Sequence, residues 1–267
     1  MAQVPATALI AAARALMLAG RWNEATLLLE GAAPADAAER AMLAVTAAEV
    51  AVDQDFWTRT SCGSSALIRA SEAVAGNTGT IAFDLEFTRL RHDYGAELFG
   101  PDGGILPPDG RDPAVADALA SRAAALRNGA PDASRRAGVT FYAGLIAEAL
   151  RGDADAGGAF YAEALRTGEE GGDELIMSYA LRHLGYLSAE AGDTDRARGL
   201  LERSMELRQR VGCVPHVLAQ QLALAQLARD SGNLTWARTV AELVRTWARA
   251  FGDSWLVQGA EDVLSAD

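Results

Sequence analysis

Three turn phrases stand forty residues apart: Arg-Gly-Asp-Ala-Asp from Arg151, Ala-Gly-Asp-Thr-Asp from Ala191 and Ser-Gly-Asn-Leu-Thr from Ser231. Each is followed by small or packing residues, first Gly157, Tyr161 and Ala164, then Ala197, then Ala237 and Ala241. A fixed period of this length marks a chain built by stacking one supersecondary unit, because a single unit cannot bury its apolar face alone. Ala is very frequent, Pro is scarce with 8 residues, and period-2 β-branched alternation is nearly absent. The repeated unit is therefore helical, and the fold class is all-α.

The best-defined copy runs from Leu184-Gly185 through Gly192 in the turn to Ala197, Leu201 and Ser204 on a second helix. It resembles the tetratricopeptide repeat. In that family a Leu-Gly pair lets two antiparallel helices approach closely, the turn Gly ends the first helix, and a later Ala faces its partner. The resemblance covers Asp132 to Phe251. It also covers Ala6 to Ala32, where Leu18-Ala19-Gly20-Arg21-Trp22 with Ala25 and Leu29 matches a turn and second helix. The period exceeds the family's usual length of about 34 residues, and six more residues add about 9 Å of helix. The chain is thus more similar to the longer-helix variety found in the sensor regions of bacterial regulators. The resemblance implies a right-handed α-solenoid of antiparallel helix pairs as a single domain over residues 1–267. It would hold N-terminal repeats over 1–75, irregular helices over 76–131, and regular repeats over 132–267.

The N-terminal half is less regular. Ala38 to Val52 and Ser64 to Ala75 read as helices joined by a long connection that begins at Asp53-Gln54-Asp55-Phe56-Trp57. Ile81 to Phe99 reads as another helix. The Gly- and Pro-rich segment 100–112 reads as loop, and helix resumes with Asp112 as N-cap and Pro113 at the first position.

With 24 Lys and Arg against 36 Asp and Glu, the chain carries a net charge of -12, so a polyanion meets a repulsive field and nucleic acid is not an expected partner. No apolar run is long enough to span a membrane, and the Ala-rich start carries Arg14 where a leader would be apolar. Cys62 and Cys213 form no disulfide framework, which suits a cytoplasmic protein. Gly103-Gly104 and Gly171-Gly172 lack the Lys of a phosphate cradle, and no cofactor is expected.

Taking the family's groove-facing places with Ser178 as the first of the repeat, the resemblance puts Tyr179, Arg182, Tyr186 and Glu190 on the concave face. Their spacings of three, four and four are one side of a helix. Tyr142 in the preceding repeat and Gln226 in the following one fall at equivalent places. Such a set would bind a peptide, a protein segment or a small molecule through an anionic or hydrogen-bonding group. The bland alternative is an amphipathic surface. His183 and His216 sit where adjacent helices would bring them together, yet no zinc-like spacing accompanies them, and Pro215 argues against a helical face shared by Cys213 and His216. No metal is expected. Trp22, Trp236 and Trp247 read as packing residues.

Two functional readings follow. The first is a non-catalytic adaptor or sensor using the groove, including a regulator that works through another protein. The second is an enzyme on the same scaffold, with Glu86, Arg89, His92 and His183 in a pocket closed by the 100–112 loop. Against the second, Glu86 with Arg89 and Arg89 with Asp93 have the spacing of a helical salt-bridge ladder. Thr60-Ser61-Cys62-Gly63-Ser64 lacks the strand of a nucleophile elbow.

Overall fold

The computed structural model describes residues 4–100, 104–107 and 110–265. Among them are thirteen α-helices, one π-helical turn and no strand, apart from an isolated bridge between Phe99 and Ile105. Two compact units divide the chain, residues 1–131 and 132–267.

The first unit contains α1 (Ala6–Leu18), α2 (Trp22–Glu30), α3 (Ala37–Thr58), α4 (Gly63–Val74), α5 (Thr80–Leu98) and α6 (Pro113–Asn128). Its core interleaves Ala41, Val45, Ala48 and Val52 of α3 with Ala66, Leu67, Ala70 and Val74 of α4 and Leu85 of α5. Those spacings are one stripe on each helix. The expected long connection after Val52 is instead helical to Thr58. Tertiary bonds hold that extra turn and a half: the Trp22 indole donates to Asp53 Oδ2 at 2.8 Å, and Asp55 accepts from the backbone N–H groups of Cys62 and Gly63 at 2.8 and 2.7 Å. Helix α6 starts as its sequence predicts, with Asp112 accepting from Ala114 N at 2.9 Å and Pro113 in the first turn. Of the 100–112 loop, residues 101–103 and 108–109 lie outside the described residues. The remainder is fastened to α5 by Leu106 N donating to Leu98 O at 2.9 Å and Asp112 N donating to Glu97 at 2.6 Å.

The second unit is a regular stack: α7 (Ala133–Leu145) with a π-helical turn (Ile146–Leu150), then α8 (Ala154–Gly171), α9 (Glu174–Glu190), α10 (Thr194–Arg210), α11 (Val214–Asp230), α12 (Leu234–Phe251) and α13 (Ser254–Ser265). Sequential helices pack on one another, and first helices also meet across the stack, α7 on α9 and α11 on α13. Turn glycines and caps recur every twenty residues, once per helix, within the forty-residue helix pair. Gly152, Gly172, Gly192, Gly212, Gly232 and Gly252 all have φ between 67° and 84°, a conformation that costs glycine nothing and other residues about 1 kcal/mol or more. After each of these glycines comes the N-cap of the next helix. Asp153, Asp173, Asp193, Asn233 and Asp253 accept from the backbone N–H three residues on at 2.9 to 3.4 Å, each cap contributing about 1 kcal/mol.

The inner helix face needs small residues. A Cβ on Gly185 would sit 2.8 Å from Leu201, and one on Gly144 would sit 2.5 Å from the Tyr161 ring. Trp236 and Trp247, expected to pack, stand 43% and 51% exposed, because α12 turns Ala237, Ala241, Val244 and Ala248 inward instead.

Candidate functional site

The cap-to-cap interval is twenty residues from Asp153 onward, but Asp132 to Asp153 is twenty-one. The π-helical turn absorbs the extra residue, as such turns do when one residue is inserted into an α-helix. Upstream of it the correspondence between repeats is shifted by one, so Gly144 matches Gly185 and Tyr142 matches His183 rather than Arg182. This corrects the expected equivalence of Tyr142 with Arg182. The turn also carries Glu148. Tyr161 OH donates to Glu148 Oε2, and His183 Nδ1 lies 3.1 Å from the same oxygen. Burial raises the Glu148 pKa, but His183 and Tyr161 outweigh it and hold the carboxyl below its ordinary value. Burial holds His183 below its ordinary value; Glu148 opposes this, and the charges of Arg182 and Arg208 add to it. His183 is therefore the neutral ring, its Nδ1–H donating to an ionised Glu148.

Beside this trio lie Tyr179, Arg182 and Tyr186 of α9. The Arg182 guanidinium lies 4.8 Å from the Tyr186 ring centroid and donates to Ala219 O at 2.7 Å and to Gln220 Oε1 at 3.3 Å, both on α11. Arg182, expected on the concave face, also ties two helices together, because its long side chain spans the gap between α9 and α11. Tyr179 stacks on His216 at 4.7 Å with an interplanar angle of 29°, and Phe141 of α7 lies 5.4 Å from both Tyr179 and His183. Tyr142 meets Phe141 edge-on at 5.8 Å. The two histidines thus take separate partners, His183 with Tyr161 and Glu148, His216 with Tyr179. Glu190 is exposed at the last residue of α9, and Gln226 is half-buried on α11, about a turn and a half beyond Gln220.

Several members of this cluster were not among the expected groove residues. Arg208 of α10 is 2% exposed and donates to Ser178 Oγ at 3.4 Å and His216 O at 2.7 Å, with its guanidinium 5.4 Å from the Tyr179 ring. Gln220 is fully buried. Cys213, 1% exposed, occupies the one N-cap place in the stack that is neither Asp nor Asn, and its Sγ lies 2.8 Å from His216 Nδ1. Pro215 does not prevent this contact, since it stands in the first turn where no intrahelical N–H is needed. The available signal was departure from the forty-residue helix pair and, for Cys213, from the twenty-residue cap spacing. Arg208 matches buried Gly168 and Ala248, Gln220 matches Val139, Ala180 and Ala260, and Cys213 matches the capping aspartates.

The residues of the enzymatic alternative are distributed differently. Glu86 and Arg89 form an exposed ion pair at 3.4 Å, and Arg89 also reaches Ser71. The expected second rung from Arg89 to Asp93 does not form, because Asp93 pairs with Arg122 of α6 at 2.6 Å. Ser64 Oγ lies 3.0 Å from His92 Nε2, and His92 Nδ1 lies 3.1 Å from Asp93. Asp93 raises the His92 pKa, with burial opposing and Asp55 adding to it. His183 belongs to the other unit and to the Glu148 trio.

No protein-family model and no curated protein matches the chain. Among solved structures it is similar to a Signal Transduction ATPase with Numerous Domains (STAND) protein with a tetratricopeptide repeat sensor from Pyrococcus horikoshii, with a TM-score of 0.54 and 15% sequence identity. The likeness covers 97% of this chain, which spans 38% of that one. At that identity it bears on architecture alone, and with the helix packing above it makes the chain an all-α helical-repeat solenoid.

Proposed function

We propose that the chain is a non-catalytic sensor or adaptor that holds a peptide, a protein segment or a small molecule in the groove lined by α7, α9 and α11. The carrying observation is the convergence of Tyr179, Arg182 and Tyr186 of α9 with Phe141 of α7 and His216 and Gln220 of α11. In neighbouring modules Arg182 is matched by Phe141 and Leu222, which are simple core residues. Charge at such a place costs stability, and a chain keeps it where it meets a ligand. Tyr179, Arg182, Tyr186 and His216 are half-buried, over a floor of buried Phe141 and Gln220. The similarity to a protein whose repeat region is called a sensor supports the same reading.

Native mass spectrometry of the purified full chain tests it. A bound species retained by the wild type and lost on Arg182→Ala is expected, with affinity falling by about 1.5–3 kcal/mol through loss of charge-assisted hydrogen bonds. Equal retention by both would remove Arg182 and its neighbours from the site.

A further inference from the structure

Buried arginines are ordinarily paired with carboxylates, because an uncompensated charge in a low-dielectric interior is expensive. Arg208, buried, and Arg182, half-buried, break that rule together. Their hydrogen-bond acceptors are Ala219 O, Gln220 Oε1, His216 O and Ser178 Oγ, all neutral. The groups that act favourably on the Arg208 charge are Tyr179, Cys213 and Tyr186, none of them a carboxylate. The two guanidiniums repel each other, and burial with that repulsion pushes the Arg208 pKa down to about 9. Burial also lowers that of Arg182. Both remain charged at neutral pH.

One polar chain joins them. Gln220 Oε1 accepts from Arg182 and lies 3.2 Å from Ser204 Oγ, whose one proton goes to Ser178 O at 2.6 Å, and Ser178 Oγ accepts from Arg208. Within this chain the Gln220 Nε2 amide is buried and has no partner. A donor left unmatched inside a core costs its full desolvation, yet Gln220 stands where Val139, Ala180 and Ala260 fill the same place in other modules. Three donors, two of them charged, therefore belong to one network in which no carboxylate among the described residues accepts from them.

We propose that Arg182, Arg208 and Gln220 bind the carboxylate of an organic monoanion, whose apolar or aromatic body lies against Tyr179, Tyr186 and His216. This rests on the groove reading above and names the chemistry of its ligand. The cost of desolvation selects a monoanion: the two arginines carry positive charge, and the groups that act favourably on them are Tyr179, Cys213 and Tyr186, none of them a carboxylate. A phosphate dianion is costlier to strip of water than one carboxylate. A planar carboxylate also matches the guanidinium fork. The rings supply the walls, with Arg182 over Tyr186 and Arg208 over Tyr179 at 4.8 and 5.4 Å, and His216 stacked on Tyr179. A free acid and the C-terminal carboxylate of a peptide present the same head group.

The test uses the full chain, thermal-shift measurements and isothermal titration. The probes are benzoate and hexanoate, benzamide as the uncharged control, inorganic phosphate, and one short apolar N-acetylated peptide with a free or an amidated C-terminus. The carboxylates are expected to raise Tm saturably and the amides to do nothing; tighter binding of the free acids or of the peptide identifies the source. Arg208→Met is expected to raise Tm without ligand, since an unpaired buried charge is removed, and to weaken carboxylate binding about tenfold or more. Gln220→Leu tests the same network without removing a charge and decides the matter if Arg208→Met fails to fold. The proposal is overturned if no carboxylate shifts the wild type, if phosphate binds in preference, or if both variants bind as the wild type does. Loss of the ligand on Arg182→Ala but not on Arg208→Met or Gln220→Leu would leave the groove reading standing and this one refuted. Retention in all three would refute both.

Discussion

At the scale of residues, the two units shift a histidine pKa in opposite directions. In the first unit Asp93 keeps the His92 pKa above the ordinary 6.5, while in the second burial keeps that of His183 below it. The linkage has opposite signs. His92 contributes stability that is fully present below 6.5 and is lost as pH rises through its raised value. His183 contributes stability that is present above 6.5 and is lost as pH falls below it, and Glu148, with its lowered pKa, adds a further loss below its ordinary 4.5. NMR titration of the ring protons should therefore give midpoints on opposite sides of 6.5, and His183→Gln should flatten the acid limb of stability above the Glu148 range. A His183 midpoint above 6.5 would mean that Glu148 outweighs burial and that the neutral-ring assignment is mistaken. These states were not legible in the sequence, because Glu148 and His183 are thirty-five residues apart and meet only after the π-helical turn re-aims the carboxylate.

At the scale of elements, glycine has two uses that look alike in the sequence and differ in the fold. Gly185 is a contact glycine: a Cβ there meets Leu201 at 2.8 and 2.9 Å and the Ala197 carbonyl at 3.4 Å. Gly199, inside α10, has nothing within 4 Å. Gly185→Leu should lower stability by about 1–3 kcal/mol or more through overpacking. Gly199→Ala should raise it by about 0.4–1 kcal/mol by restricting the unfolded chain. Thermal unfolding of both variants checks the pair, and an unchanged Tm for Gly185→Leu would place the α9–α10 contact elsewhere. The Leu-Gly phrase made Gly185 readable in advance, since close approach of two helices demands a missing side chain. The end of α3 was not readable, because the residues that prolong it, Asp53 and Asp55, favour turns locally and are held helical by Trp22 and by the N–H groups ahead of α4.

For the molecule as a whole, the net charge of -12 remains the strongest statement about partners. Double-stranded DNA should bind no better than roughly 10⁻⁴ M at physiological salt, the weak end of non-specific affinity. Tight, salt-sensitive retention in a gel-shift assay would show a local basic surface that overrides the total. None of the helices described is long and apolar enough to cross a membrane.

The sequence by itself determined the helical class, the forty-residue period, the turn glycines at 152, 192 and 232 and the close contact at Gly185. Each follows from local chemistry: a turn needs positive φ, a cap needs a short acceptor, a tight crossing needs a small residue. It also placed Tyr179, Arg182 and Tyr186 on one side of α9, because helical spacing is local too. Tertiary structure alone decided what that side faces. Arg208, Gln220 and Cys213 come from other helices, and a buried cation in the sequence is indistinguishable from the many exposed ones until burial is known. The inserted residue absorbed by the π-helical turn shifts the register of α7, and a correspondence counted along the chain cannot detect that shift before the caps on either side are seen.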